Sequence, residues 1–130
     1  MLDRLRYTYL CTWAAPVFLL IFIVFWGILG HNIPPVAGNT SAADMGALFR
    51  NHRDEIRLGM VVAMSGAVLY MIFGLAITKV IQEGIECGRN DMLSTLQLWG
   101  AGLTVVPVLV SCSFWLTGAY RPDALPDNIL

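Results

Sequence analysis

Between Tyr7 and Gly30 the chain runs for 24 residues, YTYLCTWAAPVFLLIFIVFWGILG, without a charged side chain. No other feature narrows the choice of fold as far. About 20 apolar residues in a helix cross a ~30 Å hydrocarbon layer, where each backbone polar group must be satisfied within its own segment. Two further blocks are as long: Leu58 to Ile81 holds only Lys79, and Leu93 to Ala119 holds no charge. The sequence therefore predicts an all-α integral membrane protein. It is a single membrane domain over 1–130, with three transmembrane helices at about 8–30, 58–81 and 94–118. Composition agrees, with 57% hydrophobic and 13% charged residues against ~25% charged in soluble domains. A cleaved leader is the rival reading of the first block, because Arg4 and Arg6 precede it. Its apolar core is too long for that, and ILGHNIPP has no small-x-small site, so no cleavage is expected.

A net charge of −1 leaves no basic face for nucleic acid, and none is expected as a partner. Cys11, Cys87 and Cys112 lie in separate segments without CxxC or Cys/His spacing. They predict neither a zinc site nor a disulfide framework, and Cys11 and Cys112 read as small buried hydrophobes. Lys and Arg divide evenly between the two sides, with Arg4, Arg6, Lys79 and Arg89 on one and Arg50, Arg53, Arg57 and Arg121 on the other. The first helix breaks the tie, because Arg4 and Arg6 flank its start and no cation follows its end until Arg50. The positive-inside rule then places the N-terminus in the cytoplasm, the expected setting being the bacterial cytoplasmic membrane.

After the first block, HNIPPVAGNT (31–40) must be a loop, since Pro34 and Pro35 remove donors and favour extended backbone before them. SAAD follows as a capping box, with Ser41 as N-cap and Asp44 at the third helical position. Asn39-Thr40-Ser41 formally matches a glycosylation sequon, relevant only in a secretory-pathway host. No proline interrupts the chain from Ala42 to Val106. The expectation is one continuous helix from about Ser41 to Ile81, whose first part (41–57) is an amphipathic extension outside the membrane. On a helical wheel Met45, Leu48, Phe49, His52 and Ile56 fall within ~60° of one direction. Gly59, Ala63, Gly66, Ala67, Tyr70 and Gly74 continue that stripe into the span. Gly59-x3-Ala63-x3-Ala67 is a small-xxx-small ladder, a surface for close approach of another helix. Val61 and Val68 lie off the stripe and suit lipid.

QEGIECGRND (82–91) reads as a short polar turn, with Lys79 reaching for the interface. Pro107 removes the hydrogen bond to the Leu103 carbonyl and predicts a kink, with Thr104 and Ser111 available to the loosened backbone. Pro16 should bend the first span only slightly. Trp13, Trp26, Trp99 and Trp115 sit near span ends, as interfacial aromatic residues do.

The apolar blocks carry no ionisable group away from their ends, and such groups mark proton relays, voltage sensors and most ion-coupled transporters. No catalytic residue and no cofactor are expected. His31 and His52 are predicted on the same side and are the only imidazoles. Together with Met60 and Met64, one turn apart, they are the candidates for a copper-type site. The favoured reading is no metal, with methionines filling gaps, His31 capping a helix end and His52 on the packing stripe. In NHRDEIR the adjacent Asp54 and Glu55 project ~100° apart, so they form no facing pair for acid–base work. An Arg50–Asp54 ion pair on a solvated face is expected there.

The amphipathic helix with EIRLGM, then a polar turn and a third span ending AYRPD, resembles uncharacterised multi-pass bacterial integral membrane proteins over residues 15–125. The resemblance implies no activity and no catalytic residue. Members of that group tend to continue with further spans after the segment matching RPDALPDNIL. The leading functional expectation is a non-catalytic accessory or scaffolding subunit that packs through the stripe against other membrane subunits or a second copy. A small transport or ligand-binding oligomer, with Thr104, Ser111 and Ser113 lining a path, is the alternative. A metal-handling or monooxygenase-associated subunit is the third.

Overall fold

A computed structural model describes residues 2–86, 91–120 and 122; Cys87, Arg89 and Arg121 lie outside them. Helices α1 (Leu2–Thr12) and α2 (Ala14–Ile21) lead into a π-helical stretch, Phe22–Leu29. Then come α3 (Ala42–Asn51), α4 (Arg53–Ile81), a π-helical turn at Gln82–Glu86 and α5 (Met92–Tyr120). There is no strand among the described residues. Three stretches are long and apolar enough to cross a membrane, Arg6–Leu29, Arg53–Ile85 and Met92–Tyr120. The protein is thus an all-α, three-span membrane protein, and α3 is the helical extension that precedes the second span.

Proline marks the first span where backbone chemistry says it must. Pro16 has no N–H for the Thr12 carbonyl, and α1 gives way to α2 at Trp13. Nearby, Thr12 Oγ1 donates to Thr8 O at 2.9 Å. Helix α5 continues through Pro107. Of the hydroxyls available to the loosened backbone, that of Thr104 donates to Gly100 O at 2.8 Å.

The expectation of one helix from Ser41 to Ile81 is corrected at a single residue. Ser41 caps α3 as predicted, accepting from Asp44 N at 3.2 Å and donating to Asp44 Oδ2 at 2.7 Å. At His52 the backbone leaves the helical region (φ −115°, ψ 22°), although His52 N still reaches Leu48 O and Ile56 N still reaches His52 O. Asn51 and His52 are both indifferent helix formers, and the His52 side chain is drawn to Glu55. The result is a one-residue joint between α3 and α4.

The chain divides into two compact units. The first comprises Met1–Leu20 and Gly66–Val108. In it Tyr70 packs edge-on to Phe18, with ring centroids 5.5 Å apart. Gly74 is a close-approach site, since a Cβ there would lie 2.6 Å from the Ala101 Cβ. The buried Thr78 hydroxyl turns back to Gly74 O.

The second unit comprises Ile21–Ser65 and Leu109–Leu130. Gly59 faces the Phe25 carbonyl and the backbone of Gly30, Ile56 and Met60 are fully buried, and Phe49 is only 4% exposed. Phe49 packs on Trp115 at 5.2 Å and meets Gly118. Trp115 is therefore a packing residue here, and Trp26 stacks on Phe22 at 4.7 Å.

Candidate metal centre

Within the second unit, the first span ends in a turn held by Gly27, whose carbonyl accepts from Asn32 N and Ile33 N at 2.9 and 3.0 Å. Asn32 Nδ2 adds a bond to Trp26 O at 2.9 Å. His31 sits inside this turn with φ 54°, the left-handed region that usually falls to glycine at a helix C-terminus. Gly30, one place earlier, keeps φ −75° and is needed for space, because a Cβ there would meet the Trp26 carbonyl and the Met60 Cε. The left-handed position therefore falls on His31, at a cost of about 1–2 kcal/mol for an L-residue. Its side chain projects from a firmly bonded turn.

The α3–α4 joint supplies the other two groups. His52 is the joint residue, and Glu55 stands three positions later in the first turn of α4. His31 Nε2 donates to Glu55 Oε2 at 2.9 Å, and His52 Nδ1 donates to the same oxygen at 3.1 Å. The imidazole centroids are 4.0 Å apart. Glu55 precedes the apolar segment that starts at Leu58, and its side chain is 59% exposed, against 29% for His31 and 41% for His52. The hydrogen bond from His31, then that from His52, holds the Glu55 carboxyl below the usual carboxylate range.

One donor atom from each residue gives a nitrogen–nitrogen–oxygen set lying within 4.8 Å of one another. Two donors ~2.1 Å from a common ion at a tetrahedral angle stand ~3.4 Å apart. Both nitrogen–oxygen separations are already within ~0.5 Å of that spacing. A carboxylate only accepts, so each facing nitrogen carries a proton here, and an ion would enter by displacing those protons.

Sequence reasoning named His31 and His52 and placed them on the same side of the membrane, but left Glu55 as a solvated acid. The His52-x-x-Glu55 spacing at a helix start was the available signal. Met60 is fully buried with its Cε against Gly30, in the gap-filling role of methionine, and Met64 is half-buried. Of the packing stripe, Phe49, Ile56, Gly59, Ala63, Gly66, Ala67 and Gly74 are buried, whereas Met45, Leu48, His52 and Tyr70 are half-buried. The stripe is thus largely covered by this chain's own helices. The hydroxyls of Thr104 and Ser113 are engaged by carbonyls of their own helix. No protein-family model, no curated protein and no solved structure matches the chain.

Proposed function

We propose that this protein is a small three-span accessory subunit that holds a divalent transition-metal ion at the rim of the membrane through His31, His52 and Glu55. The observation that carries the reading is the convergence of two imidazoles and one carboxylate at near-coordinating separations, from elements 24 residues apart in sequence. The left-handed backbone at His31 supports it, because strained non-glycine positions concentrate at functional sites. Imidazole with carboxylate suits ions such as zinc, copper(II), nickel and iron(II). The exposed carboxylate leaves room for water or an exchanging ligand, as in sites that pass or use an ion rather than bury it. This departs from the expectation of no metal. The accessory role no longer rests on the Gly59–Gly74 stripe, whose neighbours come from this chain.

In this reading the setting is the bacterial cytoplasmic membrane with the N-terminus in the cytoplasm, on the strength of Arg4 and Arg6. The histidine site then opens on the opposite side. Reporter fusions at either end test that orientation. The metal is tested with tag-free protein in mild detergent, titrated with zinc, copper(II) and nickel and analysed by calorimetry and elemental analysis. One equivalent is expected, lost in His52→Ala and in Glu55→Gln. Absence of binding by the wild-type protein, or the same stoichiometry in His31→Ala/His52→Ala, overturns the assignment.

A further inference from the structure

One short segment, residues 49–57, holds on to both the first span and the third. Its His52 and Glu55 meet His31 in the turn that ends the first span. Phe49, one turn before His52, packs on Trp115 and meets Gly118 in the last turns of α5. Arg57, two places after Glu55, donates to the carbonyls of Ala119 and Tyr120. All of these residues belong to the second unit. The α3–α4 joint therefore lies between two attachments, one to the histidine turn and one to the end of α5.

The two attachments differ in kind. Phe49 is buried on the α5 side, so that contact is lost only when the segment lifts away. On the histidine side all three side chains are partly open to water, and water replaces such hydrogen bonds at little cost. His52 has also left the helical region, so the joint resists bending less than either helix does. An ion shared by His31 Nε2, His52 Nδ1 and one Glu55 oxygen would fasten this weaker side. Because α3 and the end of α5 are docked on the same segment, fastening it slows the opening of both. We infer that ion binding at His31, His52 and Glu55 is read out at the C-terminal end of the third span, which opens less often when the site is filled. This rests on the metal reading of the site and adds a regulated element to it. An ion that binds only the closed segment, at 100 times its dissociation constant, lowers the opened population about 100-fold. Amide exchange through that opening slows by the same factor.

The test is hydrogen–deuterium exchange of the full chain in mild detergent, with and without zinc or nickel, alongside calorimetry that counts bound ions. In the wild type the ion is expected to slow residues 42–51 and 117–120 by roughly 10- to 100-fold and to leave residues 74–81 unchanged. Arg57→Ala and Phe49→Leu, which remove no ligand, should each still bind one equivalent and lose most of the ion's effect at 117–120. Glu55→Gln should lose the effect at both places. A wild type that binds one ion yet exchanges at 117–120 equally with and without it refutes the coupling and leaves the metal site standing. A wild type that binds neither ion removes both. An effect at 117–120 as large in Arg57→Ala and Phe49→Leu as in the wild type refutes the route through this segment.

Discussion

Removing the Arg57 guanidinium should unfasten the end of the third span. Helix α5 reaches Tyr120 with no basic residue in its last turn, yet its final carbonyls need donors. Arg57, projecting from the first turns of α4, supplies them. Its Nε donates to Ala119 O at 2.9 Å, its Nη2 donates to Tyr120 O, and the guanidinium carbon lies 5.5 Å from the Tyr120 ring centroid. A cation at a helix C-terminus also opposes the negative end of the helix dipole. The contact to Asp54 is 3.5 Å long, and that carboxylate is 85% exposed, so it adds little.

Each charged hydrogen bond is worth about 1.5–3 kcal/mol when dry, but the Arg57 side chain is 31% exposed and water can replace part of that. The low end for two bonds with a small cation–π contribution is about 3.5 kcal/mol, and reducing it by the exposed third leaves about 2–3 kcal/mol for Arg57→Ala. At 1.4 kcal/mol per tenfold, amides of Thr117 to Tyr120 should exchange with deuterium about 30- to 150-fold faster. Arg57→Lys keeps the charge but reaches one carbonyl at a time, and should fall between. Exchange in Arg57→Ala equal to wild type, or Arg57→Lys as fast as Arg57→Ala, refutes the capping argument.

Four other outcomes follow from the packing and the charges. Gly74→Ala forces its new methyl onto Ala101 and should lower thermal stability in detergent by about 1–3 kcal/mol, the usual cost of overpacking; adding Ala101→Gly should restore it. Phe49→Ala, at a site only 4% exposed, should cost about 3–5 kcal/mol and change Trp115 fluorescence. Glu55 should titrate below the usual carboxylate range in an NMR experiment, and its midpoint should rise in His31→Ala, the larger of its two stabilising contacts. Because its folded value is the depressed one, its stabilisation is present above the unfolded carboxylate value and is lost as pH falls through the folded value. Finally, metal binding should weaken on acidification, since bound ions need the protons on His31 and His52 gone.

Backbone chemistry explains why so much of the span pattern was legible. A bilayer demands length and apolarity, both of which are local properties, so three blocks named three spans. The cap at Ser41 is equally local, whereas only a slight bend was expected at Pro16 and the helix is interrupted at Trp13. The periodicity of α4 also anticipated its buried face, since Ile56, Gly59, Ala63, Ala67 and Gly74 are all covered. Periodicity cannot name the neighbour, however, and the stripe meets Phe25, Gly30 and Ala101 of the same chain.

The sequence by itself determined an all-helical membrane protein with three spans, an amphipathic extension and one face of small residues, because each follows from spacing along a single helix. Only the tertiary structure decided the rest. It interrupted the helix at His52 and set His31, the one non-glycine residue with positive φ among the described residues, in a turn whose glycine was already needed for close packing. It also brought Glu55 to both histidines across 24 positions of chain. Hydropathy measures how a residue partitions between water and lipid, whereas a donor set depends on where loop closure delivers side chains, which no window of sequence contains.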